Sequence, residues 1–119
     1  MSERFALHLE RPRESATQAQ SYLQGMTREA FLADRRTQQA VVLNLLVIGE
    51  TVNRLHDEDA AFLERYSTIP WAAMRGMRNR IAHGYFDIDM SIVWETVQRE
   101  LPALVGQLAA MRSDGGVEE

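Results

Sequence analysis

The stretch Arg78-Asn79-Arg80-Ile81-Ala82-His83-Gly84-Tyr85 gathers an arginine, an asparagine, a histidine and a tyrosine in the spacing R-x4-H-x-Y. A guanidinium stays charged at any physiological pH and offers a fork of donors to a phosphate. An imidazole titrates near neutrality, so it can take a proton and return it. Those are the two groups that breaking a phosphodiester requires. The spacing alone does not decide the matter, because each of these residues also serves singly as a helix cap or a surface group. On an ideal helix, five residues turn the chain by roughly 500°, which leaves Arg78 and His83 about 140° apart. Asn79 and His83, four apart, share a face. Gly84 allows the helix to unwind at His83, and the long Arg78 side chain reaches across. A site built this way stands at a helix C-terminus, where the dipole favours the protonated ring.

Other polar groups are candidates for lining the same site. Arg75, Arg78 and Arg80 form a local basic cluster. Upstream, Glu50, Asn53 and Arg54 interrupt a very apolar segment. Two readings stand side by side: a solvated Glu50–Arg54 pair at i, i+4, or Glu50 and Asn53 turned toward a site. His8 and His56 have no partner pattern and read as surface residues. The spacings supply too few ligands for a metal site, and Ser and Thr lack the context of a nucleophilic triad. Neither a metal nor a cofactor is expected.

The elements that must position these residues are helical. The chain has 119 residues, and its 45% hydrophobic fraction suits one domain with a modest core. Ala, Leu, Glu, Arg and Gln are plentiful and Gly and Pro few, a balance that favours helix. With no cysteine there is neither a disulfide framework nor a thiol nucleophile. A formal net charge of −4 argues against a non-specific nucleic-acid coat protein but leaves room for a local basic site. No signal peptide and no bilayer-length apolar run is visible, so a cytoplasmic protein without a membrane anchor is expected.

In chain order, residues 3–24 read as a helix with Phe5, Leu7, Leu9, Tyr22 and Leu23 apolar, kinked or restarted at Pro12 and stopped at Gly25. Thr27 caps a short helix around Phe31, and Asp34 caps a long one from 35 to 56. There Val41–Ile48 is apolar almost all round and reads as buried, with Gly49 admitting another helix close by. A short helix or turn carries Phe62, Leu63 and Tyr66. Pro70 opens a helix over 70–83 with Trp71, Met74 and Ile81 inward and Gly84 as its left-handed stop. After a loop from Tyr85 to Ile88, Asp89 caps a last helix over 90–112. Ile92, Val93, Val97, Leu101, Leu104, Val105 and Leu108 are its core face, and Pro102 bends it. Residues 113–119 read as a flexible tail. The sum is an all-α, up-and-down bundle of four main helices plus short ones, in one domain over 1–112.

Several stretches, in order, carry a resemblance to a known family: Phe31-Leu32-Ala33-Asp34, Val47-Ile48-Gly49-Glu50 with Asn53, Ile69-Pro70-Trp71, Arg78-Asn79 through Phe86, Ile88-Asp89 with Val93-Trp94, and Glu100-Leu101-Pro102. Over about residues 20–105 the chain resembles the HEPN superfamily, most closely the HepT-type toxins of HEPN/MNT toxin–antitoxin modules. The first helix, with Pro12 and the polar run Glu14–Gln20, matches least. The resemblance implies a homodimeric helical bundle that cleaves RNA without metal, the motifs of two subunits facing one cleft. It implies that Arg78 holds the scissile phosphate, that His83 is general base or acid toward the ribose 2′-hydroxyl and leaving oxygen, and that Asn79 orients one of them. It further implies a nucleotidyltransferase antitoxin that caps Tyr85 with adenylate. The acidic net charge also suits a second class, a non-catalytic helical dimer that binds a nucleotidyltransferase or a nucleotide. A helix-turn-helix regulator is disfavoured, because no short helix pair presents a basic recognition face.

Overall fold

The computed structural model of the chain describes the backbone of residues 3–118 and the side chains of residues 8–111. Every regular element among them is helical. The helices are α1 (Glu3–Leu23), α2 (Arg28–Leu32), α3 (Arg35–Glu58), α4 (Ala60–Glu64), α5 (Trp71–Gly84), α6 (Met90–Glu95) and α7 (Leu101–Glu118). A π-helical segment, Thr96–Glu100, joins α6 to α7 without a break. The architecture is the all-α bundle that the periodicity suggests: α3 lies at the centre with α1 and α5 against it, and α7 packs on α1.

Local chemistry sets the boundaries. α1 stops at Leu23, and Gly25 follows at φ +80°, a backbone state natural to glycine. The Thr27 hydroxyl accepts the Ala30 N–H, opening α2. Asp34 accepts from both the N–H and the hydroxyl of Thr37 at the head of α3. Asp59 and Asp89 accept the N–H groups of Phe62 and Ser91 in the same way. Gln38 donates to the carbonyls of Phe31 and Leu32, satisfying the exposed end of α2.

The core runs through the interface of α3 with its neighbours. Leu45, Ile48, Val52 and Leu55 of α3 are buried with Trp71, Met74 and Ile81 of α5 and Leu101, Leu104 and Leu108 of α7. Phe31 is wholly buried and meets Trp94 with ring centroids 5.6 Å apart, which ties α2 to α6. Its burial contributes roughly 1.5–3 kcal/mol. The Trp71 indole N–H donates to the carbonyls of Leu63 and Tyr66, anchoring the start of α5.

Five expectations need correction. Pro12 neither breaks nor restarts α1; it lies inside a continuous helix, fully buried. The inward face of α1 is Leu9, Pro12, Ser15, Ala16, Ala19 and Leu23, mostly small groups that pack beside larger ones, and that packing outweighs the proline's cost of about 3 kcal/mol. Tyr22 and Ile92, expected inside, are exposed. Leu43 of the apolar α3 segment is 60% exposed, so that segment is not buried all round. Gly84 is not a left-handed stop; at φ −163° it closes α5 and leads into a 3₁₀ turn, Tyr85–Asp87. The last helix is interrupted before Pro102, because proline has no N–H to bond the Gln98 carbonyl. The ladder widens instead, and the Leu101 N–H reaches the carbonyl of Thr96. The side chains of Phe5, Leu7 and residues 113–119 lie outside the described residues, while the backbone of the stretch expected as a tail continues α7 to Glu118.

No helix among the described residues is long and apolar enough to cross a membrane.

Candidate active site

α3 and α5 approach closely at Gly49. A Cβ there would collide with the Cβ of Arg78 and lie 2.8 Å from the Met74 carbonyl oxygen. Glycine at this point is therefore a packing requirement, as its place in an apolar segment suggests. Bringing the backbones together also brings their polar edges together. Arg78 Nε donates to Glu50 Oε1, and Arg75 Nε donates to Asn53 Oδ1 at 2.7 Å. The two contacts run in opposite chain directions, 50 to 78 and 53 to 75, so the helices are antiparallel there. Of the two readings of the α3 polar face, Glu50 and Asn53 turned toward the motif is the one observed. Glu50 spans to Arg78 rather than pairing with Arg54.

Arg78 also donates from Nη1 to Asn79 Oδ1 at 3.1 Å. The guanidinium is thus gripped on one side by a carboxylate and on another by an amide, and its side chain stays 28% exposed. Remaining N–H groups of the fork are available to an incoming anion. His83 lies in the last turn of α5 and is exposed. Asn79 is exposed one turn before it.

Not every expected residue converges within one chain. The helix does not unwind at His83, and no hydrogen bond joins His83 to Arg78 among the described contacts. Helical geometry keeps them on different sides of α5. Tyr85 opens the 3₁₀ turn, half-buried, with the Phe86 ring edge-on at 5.5 Å. Phe86 itself is 97% exposed. His83 faces a cleft of about 370 Å³ whose walls include Met77, Arg80, Ile88 and Ile92, with the carboxylates of Asp87 and Asp89 at hand. The sequence reading passed over this cleft, although Arg80 and His83 at i, i+3 are helical neighbours and signal it.

A family model described as "Ribonuclease HepT-like" matches residues 13–111. The chain belongs to the HepT-like ribonuclease family. The match takes in every candidate site residue, from Glu50 to Tyr85, and begins only after the first part of α1. Among HepT-like relatives, the "Probable ribonuclease HepT" of Thermococcus cleftensis is 36% identical over 84 residues, covering 71% of this chain and 74% of that protein. A "Putative RNase" of Methanocaldococcus jannaschii is 35% identical over 89 residues, 75% of this chain and 71% of its own. A further "Putative RNase", from Caldanaerobacter subterraneus subsp. tengcongensis, is 37% identical over 86 residues, 72% of this HepT-like chain and 74% of its own. No solved structure matches it at comparable stringency.

Proposed function

We propose that this HepT-like chain is a metal-independent endoribonuclease that acts in the cytoplasm as the toxin of a toxin–antitoxin module. Family membership and the names of its relatives support the ribonuclease part. The observation that carries the site assignment is the grip of Glu50 and Asn79 on Arg78, which holds a permanent cation at the exposed seam of α3 and α5.

In this reading Arg78 binds the non-bridging oxygens of the scissile phosphate and offsets the charge that builds in the transition state. A neutral His83 takes the proton of the ribose 2′-hydroxyl. O2′ attacks phosphorus, the P–O5′ bond breaks, and a protonated His83 delivers its proton to the leaving O5′. The products are a 2′,3′-cyclic phosphate and a 5′-hydroxyl. Asn79 orients the group on its side of the helix, and Arg75, held by Asn53, adds positive potential. Within one chain no described hydrogen bond joins Arg78 to His83, and in this reading two copies complete the site. A homodimer with the two α5 helices facing one cleft would supply one histidine as base and the other as acid.

Tyr85 is the point of control in this proposal. A nucleotidyltransferase antitoxin would transfer adenylate to its phenol oxygen. An anionic adduct at the end of α5 repels RNA and fills the approach to His83.

The test is purified protein incubated with RNA in the presence of a chelator. Cleavage leaving cyclic phosphate ends, and lost on His83→Ala, is expected. Intact RNA at large protein excess, from a folded protein that still binds a nucleotidyltransferase, would replace the catalytic reading with the binding-module one.

A further inference from the structure

A second polar hollow lies on the opposite flank of α3. His8 and Arg11 of α1, and Thr51 and Arg54 of α3, line a pocket of about 290 Å³. Among the described residues no carboxylate belongs to its wall, which is notable in a chain of net charge −4. The Glu58 carboxylate stands 3.9 Å from His8 Nδ1 at its edge. Thr51 directs its hydroxyl to the Val47 carbonyl, so it shapes the wall without offering a donor. Arg11 and Arg54 are exposed, and neither guanidinium has a hydrogen-bond or ion-pair partner among the described residues. Two guanidiniums lining one hollow repel each other, and an anion between them removes that repulsion.

The hollow is also placed along the line of the site already described. On α3, Arg54 is four residues beyond Glu50 and three beyond Thr51, so it stands on the ridge between the α5-facing and α1-facing sides. Glu50 is the residue that holds Arg78. A polar band therefore crosses three helices, from Arg75 and Arg78 on α5, over Arg54 on α3, to Arg11 on α1. One helical turn along α3 is about 5.4 Å, comparable with the spacing of successive phosphates on an extended strand.

We infer that Arg11 and Arg54 form a phosphate-binding station for the RNA strand, taking a backbone phosphate other than the one that Arg78 binds. Each arginine forks onto the non-bridging oxygens, and the contact reads charge rather than base identity. Arg11 precedes the family match at residues 13–111, so half of this station lies outside the shared family region. The inference rests on the ribonuclease reading for the identity of its ligand, but binding tests it separately from cleavage.

The experiment uses the full chain and a fully 2′-O-methylated RNA oligomer, which cannot be cleaved through its 2′ oxygens. Fluorescence anisotropy gives affinity at several salt concentrations. Arg11→Gln/Arg54→Gln should weaken binding roughly tenfold and lower the slope of log affinity against log salt by about 1.4, two contacts at about 0.7 each for a single strand. Arg11→Lys/Arg54→Lys should recover most of the slope. Arg99→Gln, which alters an arginine paired with Glu95 on another element, should change neither. Circular dichroism confirms that each variant is folded. Unchanged affinity and slope in the glutamine variant, or no binding by the wild type, overturns the station. So does a result in which inorganic phosphate alone binds as tightly as the oligomer, since the ligand is then a free anion. Failure of the ribonuclease reading shows differently, as intact unmodified RNA beside normal, arginine-dependent oligomer binding.

Discussion

Gly49 and Arg78 meet backbone to side-chain base: the space a methyl group would need on Gly49 is occupied by the Cβ of Arg78. The cation assigned to the phosphate is therefore mounted at a close approach of α3 and α5, and its reach to Glu50 depends on that closeness.

Gly49→Ala should push the helices apart. The obstacles are a Cβ and a backbone carbonyl, neither of which can swing away. Overpacking of this kind costs about 1–3 kcal/mol, visible as a lower thermal midpoint. RNA cleavage by the folded fraction should fall as well, because Arg78 is carried with the displaced helix. An alanine variant as stable as the wild type would show that the two helices do not need this approach.

His83→Ala should lower cleavage by roughly 10²–10⁴, the scale of acid–base groups. His83 is exposed, so the thermal midpoint should hold. Single-turnover cleavage of a labelled RNA, alongside a melting curve, separates the two effects. A variant that cleaves at the normal rate would remove His83 from the mechanism.

Glu50 and Arg78 should couple more in function than in stability. Both side chains are partly solvated, at 46% and 28% exposure. A pair of this kind contributes less than about 1 kcal/mol. Glu50→Gln should leave the midpoint nearly unchanged yet reduce cleavage, because Arg78 loses its orientation. In a double-mutant cycle, Glu50→Gln added to Arg78→Ala should do little further harm to the rate. Additive losses would mean that Glu50 acts apart from Arg78.

Asp34 supplies a pH dependence of stability. The Thr37 hydroxyl, and then the Thr37 N–H, hold its carboxyl below the usual carboxylate range. A depressed folded value means a contribution that is present above the unfolded value, about 3.9. It disappears as the pH falls through the folded value. Asp34→Asn can still cap α3, so its loss of stability between neutral and acid pH should be smaller than the wild type's. Parallel acid titrations followed by circular dichroism check this, and identical curves would exclude Asp34 as a source of acid sensitivity.

Much of the fold is legible in the sequence because its signals are local. Thr27, Asp34 and Asp89 cap helices through atoms two or three residues away. Gly25 ends α1 through its own backbone freedom. The inward stripe of Trp71, Met74 and Ile81 follows from helical period alone. Where a neighbour decides, local reasoning fails. Pro12 stays within a helix because its ring fills a buried seam. Tyr22 and Ile92 are exposed because the face they occupy is left uncovered by the described residues. Pro102 acts earlier than a simple bend implies, converting Thr96–Glu100 to a π segment.

The candidate site divides along the same line. Residue types and spacing along α5 determined that a guanidinium, an amide and an imidazole stand within two turns of one another, since a helix sets those positions from number alone. Only the packing of α3 on α5 decided that Glu50 holds Arg78 and that Asn53 holds Arg75, because those partners are 28 and 22 residues apart in the chain. The docking of α1 on α3 likewise put Arg11 beside Arg54. Contacts between distant residues depend on which surfaces fit together, and no periodicity along a single helix encodes that fit.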